Sequence, residues 1–338
     1  LRGNTDENPI AKLNSNENPF GPSKRVRLAI TKAFDKACRY PSIVFRPLLE
    51  QIAETEGVTA DHIVITGGST EGLKATGLTY GIDQGEIIAA DPTFQAMLRY
   101  AEGFGAYVHR VPVDDTMGHD LKAMAQRINN KTRLIFVCNP NNPTGTLIEK
   151  NALRDFCSSI SKKAVVFSDE AYYDFITEVD YPSMVALVKE GMNVIVSKTF
   201  SKVYGLAGMR IGYLVARPDI AARLRNNIMA MTNVLAIEAA KVALQDDDFY
   251  TFSILKNTEA KNAIYKTLDD LNLEYIKSHT NFVFFKTGRP ISEMIVEMKK
   301  EQVIIGRPFP PFYEWCRIST GTMESMAMFD KALKKVLG

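Results

Sequence analysis

The chain has 338 residues, a length that fits about two domains of roughly 150 residues each. Hydrophobic residues make up 46% and charged residues 24%, a balance that supports a large packed core and excludes long disordered stretches. Forty-one Lys and Arg against 39 Asp and Glu leave a net charge of +2, too near neutral to point to a nucleic-acid-binding surface or a polybasic membrane patch.

Short apolar runs ending in polar or glycine-rich turns alternate with helical patterns. Residues 62–66 read as a strand, and Gly67-Gly68-Ser69-Thr70 turns it into a helix over 71–80. A strand over 86–90 is followed by Asp91-Pro92-Thr93 and a helix over 94–103. The strand 134–138 runs into Asn139-Pro140-Asn141-Asn142-Pro143-Thr144-Gly145. The strand 164–167 leads to Ser168-Asp169-Glu170, and the strand 194–196 leads to Ser197-Lys198-Thr199-Phe200-Ser201-Lys202. One more strand covers 210–215. Fully apolar strands alternating with helices argue for a mostly parallel sheet covered on both faces. Ligands of such α/β sheets sit at the carboxyl ends of the strands, where the polar clusters lie.

Past Pro218 the pattern changes to helices over 219–229, 235–244 and 248–271, then a strand over 281–286 and a helix over 291–301. Strands over 303–305 and 316–318 and a helix starting near 324 complete a smaller α+β unit. The expected division is a large unit over residues 31–246 and a small one built from 1–30 and 247–338.

Cys38, Cys138, Cys157 and Cys316 form no C-x-x-C pair and read as buried thiols of a reducing compartment. His62, His109, His119 and His279 lack metal-ligand spacing, so no metal site is expected, and His119 is expected in a solvated loop. No run approaches the roughly 18 to 20 apolar residues of a membrane span, and residues 1–5 are polar, unlike a secretory signal. The expectation is a cytoplasmic protein with neither membrane nor nucleic acid as partner.

The segment 194–210 is the most informative. A lysine just past an apolar strand lies at the mouth of the sheet, where a partly desolvated amine loses its proton more easily and forms Schiff bases. Taken alone, Lys202 reads as an exposed loop lysine, and Lys198 is its rival in the same strand end. Asp169 ends a neighbouring strand, with Tyr172 three residues on and Asn142 at a third strand end. Pyridoxal phosphate needs such a set: a lysine for its aldehyde, a carboxylate for its ring nitrogen and donors for its ring oxygen. Gly67-Gly68-Ser69-Thr70 at a helix start suits its phosphate, and Ser201 and Arg210 are candidates to complete that anion site. A P-loop is excluded, because Gly67-x-x-x-x-Gly72 is followed by Leu73-Lys74 and not by Lys-Ser/Thr.

With these residues in view, the chain resembles the fold-type I pyridoxal-phosphate aminotransferases, and within them the histidinol-phosphate aminotransferase family. The matching motifs run in family order from Asn14-Ser15-Asn16-Glu17-Asn18-Pro19-Phe20-Gly21-Pro22-Ser23 through Arg39-Tyr40-Pro41, Thr66 to Gly72 and Asp91-Pro92-Thr93-Phe94. They continue through Asn139 to Gly145, Ser168-Asp169-Glu170-Ala171-Tyr172 and Thr199 to Arg210, and end at Arg317-Ile318-Ser319-x-Gly321-Thr322. The resemblance implies a large domain with a mostly parallel seven-stranded sheet flanked by helices, plus a smaller α+β domain. It implies Lys202 as the Schiff-base lysine and proton carrier, Asp169 at the pyridine nitrogen, and Tyr172 and Asn142 at the ring oxygen. Phe94, where family members often have Tyr, would stack on the ring. Ser69, Thr70, Thr199, Ser201 and Arg210 would form the phosphate site, joined by Tyr40 from the other subunit of a homodimer with shared active sites.

Arg317 would bind the substrate carboxylate beside Asn142, and Arg307 a second anion. The implied reaction moves an amino group from a small-molecule donor, histidinol phosphate or an aromatic amino acid, to a 2-oxo acid such as 2-oxoglutarate. The aromatic alternative comes from the loop 308–315, rich in Phe, Tyr and Trp. A decarboxylase of a phosphorylated amino acid would use the same cofactor residues and is the nearest rival reaction. A ligand-sensing domain without catalysis is a remote one, since no helix-turn-helix extension is present.

Overall fold

The computed structural model describes residues 10–338; the polar residues 1–5 lie outside them. Eleven strands form: β1 (Ala11–Lys12), β2 (Ile63–Thr66), β3 (Glu86–Asp91), β4 (Tyr107–Pro112), β5 (Thr132–Cys138) and β6 (Val165–Asp169), then β7 (Val194–Thr199), β8 (Gly212–Ala216), β9 (Phe282–Lys286), β10 (Val303–Ile304) and β11 (Trp315–Ser319). Seven of them build one sheet in the order β2-β8-β7-β6-β5-β3-β4. Strand β8 is antiparallel to both neighbours, and the other pairings are parallel.

Parallel neighbours need crossover connections. The helices Ser69–Gly81, Ala96–Gly103, Leu121–Gln126, Lys150–Ile160 and Val185–Lys189 supply one between each pair of consecutive strands from β2 to β7. Both faces of the sheet are therefore covered. Along β5, Leu134, Phe136 and Cys138 enter one apolar cluster while Ile135 and Val137 enter the opposite one, which is why the strand reads as a continuous apolar run. Strand β4 escapes that signal. It is an edge strand in which Tyr107 and Arg110 are exposed while Val108 and Val111 are buried, so its alternation with polar residues hides it.

The remaining strands pair across the two ends of the chain. Strand β1 is parallel to β10 with Ala11 opposite Val303, and β11 is antiparallel to β9. Leu13, Val283, Phe285, Ile318 and Phe329 share their core. The helix Lys24–Ala33 packs instead along Val234–Ala243, and its Val26 joins the core of the large sheet; residue 31, the expected start of the large unit, lies inside that helix. Two smaller expectations are corrected. Cys38 is exposed rather than buried. His119 is buried rather than solvated and neither ring nitrogen has a partner among the described residues, and burial lowers its pKa to about 4. Among the described residues no helix is long and apolar enough to cross a membrane, and no group of His, Cys, Asp and Glu could hold a metal.

Between β1 and the helix Lys24–Ala33 the chain crosses the loop that follows β7. Gly21 and Gly205 meet there backbone to backbone: a Cβ on Gly205, whose φ is +67°, would lie 2.6 Å from the Gly21 Cα. Gly205→Ala is therefore expected to lower stability by about 1 to 3 kcal/mol, the usual cost of overpacking, measured by denaturant unfolding, whereas Gly103→Ala, with open space around it, should cost less.

Candidate active site

The carboxyl ends of β5, β6 and β7 converge on a cavity of ≈ 350 Å³. Nine of the residues expected from the sequence line it: Ser69, Thr70, Phe94, Asn142, Asp169, Tyr172, Ser201, Lys202 and Arg210. Adjacent parallel strands in register make this convergence, with Cys138 opposite Asp169 and Asp169 opposite Ser197. Of the asparagines after β5, Asn139 bonds Tyr181 and Asn141 bonds Thr93, Thr144 and the Pro92 carbonyl. These two hold the loop, and Asn142 faces the cavity.

Lys202 points its amine at the Asn16 carbonyl, 3.1 Å away, and lies over the Tyr172 ring at 5.4 Å. Burial lowers its pKa to about 8, and the Arg317 charge acts in the same direction. Asp169 is 2% exposed. Its carboxylate accepts the Ala171 N–H at 3.3 Å, yet burial pushes its pKa up to about 7. Such a group favours a cation opposite it. Lys198 is engaged elsewhere, 3.1 Å from Glu56 and 3.8 Å from Glu170.

The anion cradle is the start of the helix Ser69–Gly81. Gly68 takes the N-cap position with φ 83°, and no side chain caps the helix, so its first N–H groups are available to an anion. Arg210 stands over this turn in a left-handed conformation, φ 55°, with its guanidinium donating to the Ala207 carbonyl at 2.7 Å. A Cβ on Gly68, whose φ is itself unfavourable for other residues, would lie 2.6 Å from that guanidinium and push Arg210 aside. Thr199 does not line the cavity; its hydroxyl accepts the Ser201 N–H at 3.1 Å and shapes the turn.

Arg317, on β11, is 8% exposed. It donates to Asn142 Oδ1 at 2.7 Å and to the Asn14 carbonyl at 2.8 Å, while its Nε has no partner among the described residues. Burial lowers its pKa to about 10. Arg307 is exposed and stacks on Phe309 at 4.4 Å, and Arg317 lies 4.9 Å from the same ring. Among the described residues neither arginine has a carboxylate within salt-bridge distance. Within the aromatic loop Phe309 and Trp315 are buried against Phe284, while Tyr313 is exposed.

Tyr40 is not brought to the cavity by this chain; it is 88% exposed on the surface. Conversely, Asn16 carried no assigned role in the sequence reading, although its motif was in view. It is buried, holds Lys202 through its carbonyl and bonds Tyr172 through its side chain. Nothing local reports a contact made across 156 positions.

A buried lysine, a carboxyl group that calls for a cation, amide and phenol donors and a glycine-lined anion cradle together fit pyridoxal phosphate. A family model for class I and II aminotransferases matches residues 8–336. A histidinol-phosphate aminotransferase of Moorella thermoacetica is 38% identical over 97% of this chain and 86% of that protein. One from Bacillus cereus is 35% identical over 97% of this chain and 89% of that protein. The crystal structure of a histidinol-phosphate aminotransferase from Sinorhizobium meliloti in complex with pyridoxal-5'-phosphate superposes with a TM-score of 0.89 at 26% identity, covering 97% of this chain and 91% of that one. The chain belongs to the class I and II aminotransferases and, within them, to the histidinol-phosphate aminotransferase family. It has the fold-type I architecture and is a pyridoxal-phosphate-dependent aminotransferase.

Gly68→Ala tests the cradle. The added methyl displaces Arg210, and loss of a charge-assisted contact of about 1.5 to 3 kcal/mol is expected to weaken pyridoxal-phosphate binding roughly ten- to a hundredfold, read by cofactor titration of the apoenzyme.

Proposed function

We propose that this chain transfers the amino group of histidinol phosphate to a 2-oxo acid, 2-oxoglutarate being the expected acceptor. The observation that carries the donor assignment is the pair of arginines on Phe309, Arg317 and Arg307, with no carboxylate within salt-bridge distance of either among the described residues. Arg317 serves a planar carboxylate as a two-pronged donor, and Arg307 lies at the solvent side for a second anion. An aromatic amino acid is the alternative donor: Phe309 and Trp315 pack on Phe284, while Tyr313 of the same loop is exposed.

Pyridoxal phosphate, when bound, supplies an aldehyde for amines and a ring that draws electrons from the substrate Cα. Ser69, Thr70, Ser201 and Arg210 would hold its phosphate, with Thr199 shaping the turn, and Phe94 would pack on its ring. Asp169 would pair with its ring nitrogen and become a carboxylate there, and Tyr172 and Asn142 would serve its ring oxygen. Lys202 would hold the cofactor's aldehyde carbon, and its free amine would take the proton from the donor's Cα as general base. An amine with a pKa of about 8 is neutral in roughly a tenth of molecules at pH 7, far more than an exposed lysine.

The unit built on residues 31–246 would carry the cofactor, and the unit from 1–30 and 247–338 would bring Arg307 and Arg317. We place Tyr40 at the phosphate of a second subunit in a homodimer. Its neighbour Ile43 is 89% exposed, and Phe34 and Leu28 are exposed nearby in sequence, an apolar segment suited to such an interface.

Lys202→Ala is expected to abolish transamination, and borohydride reduction with peptide mapping should label Lys202; a label on Lys198 contradicts the assignment. Arg317→Ala should lower kcat/KM for every donor roughly ten- to a hundredfold, the worth of one charge-assisted bond. Arg307→Ala should do so for histidinol phosphate and spare phenylalanine, and equal losses for both contradict the donor assignment. For the dimer, mixing the inactive Lys202→Ala and Tyr40→Ala chains should restore part of the activity through hybrids; a fully active monomer in sedimentation rules out the shared site.

A further inference from the structure

We infer that Asn16 is a positioning residue that forces the Tyr172 hydroxyl to donate its hydrogen into the cavity, an inference that rests on the pyridoxal-phosphate reading of that cavity. A tyrosine hydroxyl has one hydrogen to give and two lone pairs to accept with. The Tyr172 oxygen accepts the Asn16 amide at 2.9 Å and the Asn142 amide at 3.2 Å.

Asn142 cannot turn over, and turning Asn16 over would take from the buried Ser319 hydroxyl the acceptor of its hydrogen. Asn142 Oδ1 accepts from Arg317 at 2.7 Å, and a guanidinium has no acceptor, so the arm toward Tyr172 is the NH2 group. The Asn16 backbone N–H donates to Ser319 Oγ at 2.8 Å, and that hydroxyl donates in turn to Asn16 Oδ1 at 2.8 Å. The Asn16 NH2 group is thereby left for Tyr172. With both lone pairs taken and no protein acceptor for its hydrogen among the described residues, Tyr172 has only the cavity it lines to donate to.

Asn16 suits this task in two further ways. Its φ of 54° lies in the left-handed region, which asparagine enters more readily than most residues. Its carbonyl also accepts from Lys202 at 3.1 Å and from Asn281 at 3.0 Å, so one residue orients both the amine and the phenol. The charged and titratable groups around Tyr172 are Arg317, Cys138, Asp169 and Lys202. A donor held toward the cofactor's ring oxygen favours negative charge on that oxygen. The nitrogen joined to Lys202 then releases its proton at a lower pH.

The readout is the pH midpoint of the visible absorbance change of the pyridoxal-phosphate-loaded enzyme. Asn16→Asp keeps the shape and tolerates the left-handed backbone, but offers Tyr172 an acceptor in place of a donor. It is expected to raise the midpoint by about 1 to 2 pH units, the worth of a hydrogen bond to a charged group. Ser319→Ala, which frees the Asn16 amide to turn over, should raise it by less and carries the test if Asn16→Asp does not fold. In a Tyr172→Phe background the Asn16→Asp shift should fall to less than about half, as a coupled pair requires. An unmoved midpoint, or an equal shift with and without the Tyr172 hydroxyl, overturns the inference while leaving the cofactor reading intact. An enzyme that shows no visible band with pyridoxal phosphate overturns both.

Discussion

The site depends on keeping an amine and a carboxyl group out of water at the carboxyl edge of a parallel sheet. In water Lys202 would be a cation and Asp169 an anion; buried, their pKa values move to about 8 and about 7. Desolvation disfavours the charged form of each, so both come within reach of neutral pH. The sheet makes that burial possible. Strands β5, β6 and β7 are covered on both faces, and their ends deliver Asn142, Asp169 and Lys202 to one cavity.

The lid on that cavity comes from far away in the chain. Residues 14–21 reach it from strand β1, which is fastened to β10 near the other terminus. Asn14 touches Arg317, Asn16 touches Lys202 and Tyr172, Asn18 touches the Val203 carbonyl and Gly21 touches Gly205. The residues that would clamp a substrate carboxylate and those that hold the reacting amine are thus bridged by eight consecutive residues.

Much of this was legible in the sequence because its signals are local. Strands buried on both faces read as apolar runs, and polar clusters at their carboxyl ends marked the site, so Asp169, Tyr172, Asn142 and Lys202 could be named from pattern and resemblance. The edge strand β4 and the helix Ser42–Glu56 were not marked. The first alternates with exposed Tyr107 and Arg110, and the second contains Pro47, which breaks a helical pattern. The role of Asn16 was out of reach for a different reason: it exists only once β1 pairs with β10 and Ser319 comes beside it. The inward turn of Phe309 and Trp315 was equally hidden, because composition cannot say which side of a loop faces the core.

The central claim is that the charge of Asp169, and not only its shape, makes the cavity reactive. Asp169→Asn preserves size and can still accept the Ala171 N–H, but it offers no charge to a cation. Steady-state transamination by the pyridoxal-phosphate-loaded Asp169→Asn enzyme, compared with the unaltered chain at matched cofactor occupancy, measures that charge directly. The account predicts a loss in kcat of roughly a hundred- to a thousandfold, the scale of removing one preorganised electrostatic contact, with cofactor still bound. A variant that turns over as fast as the unaltered enzyme would contradict it.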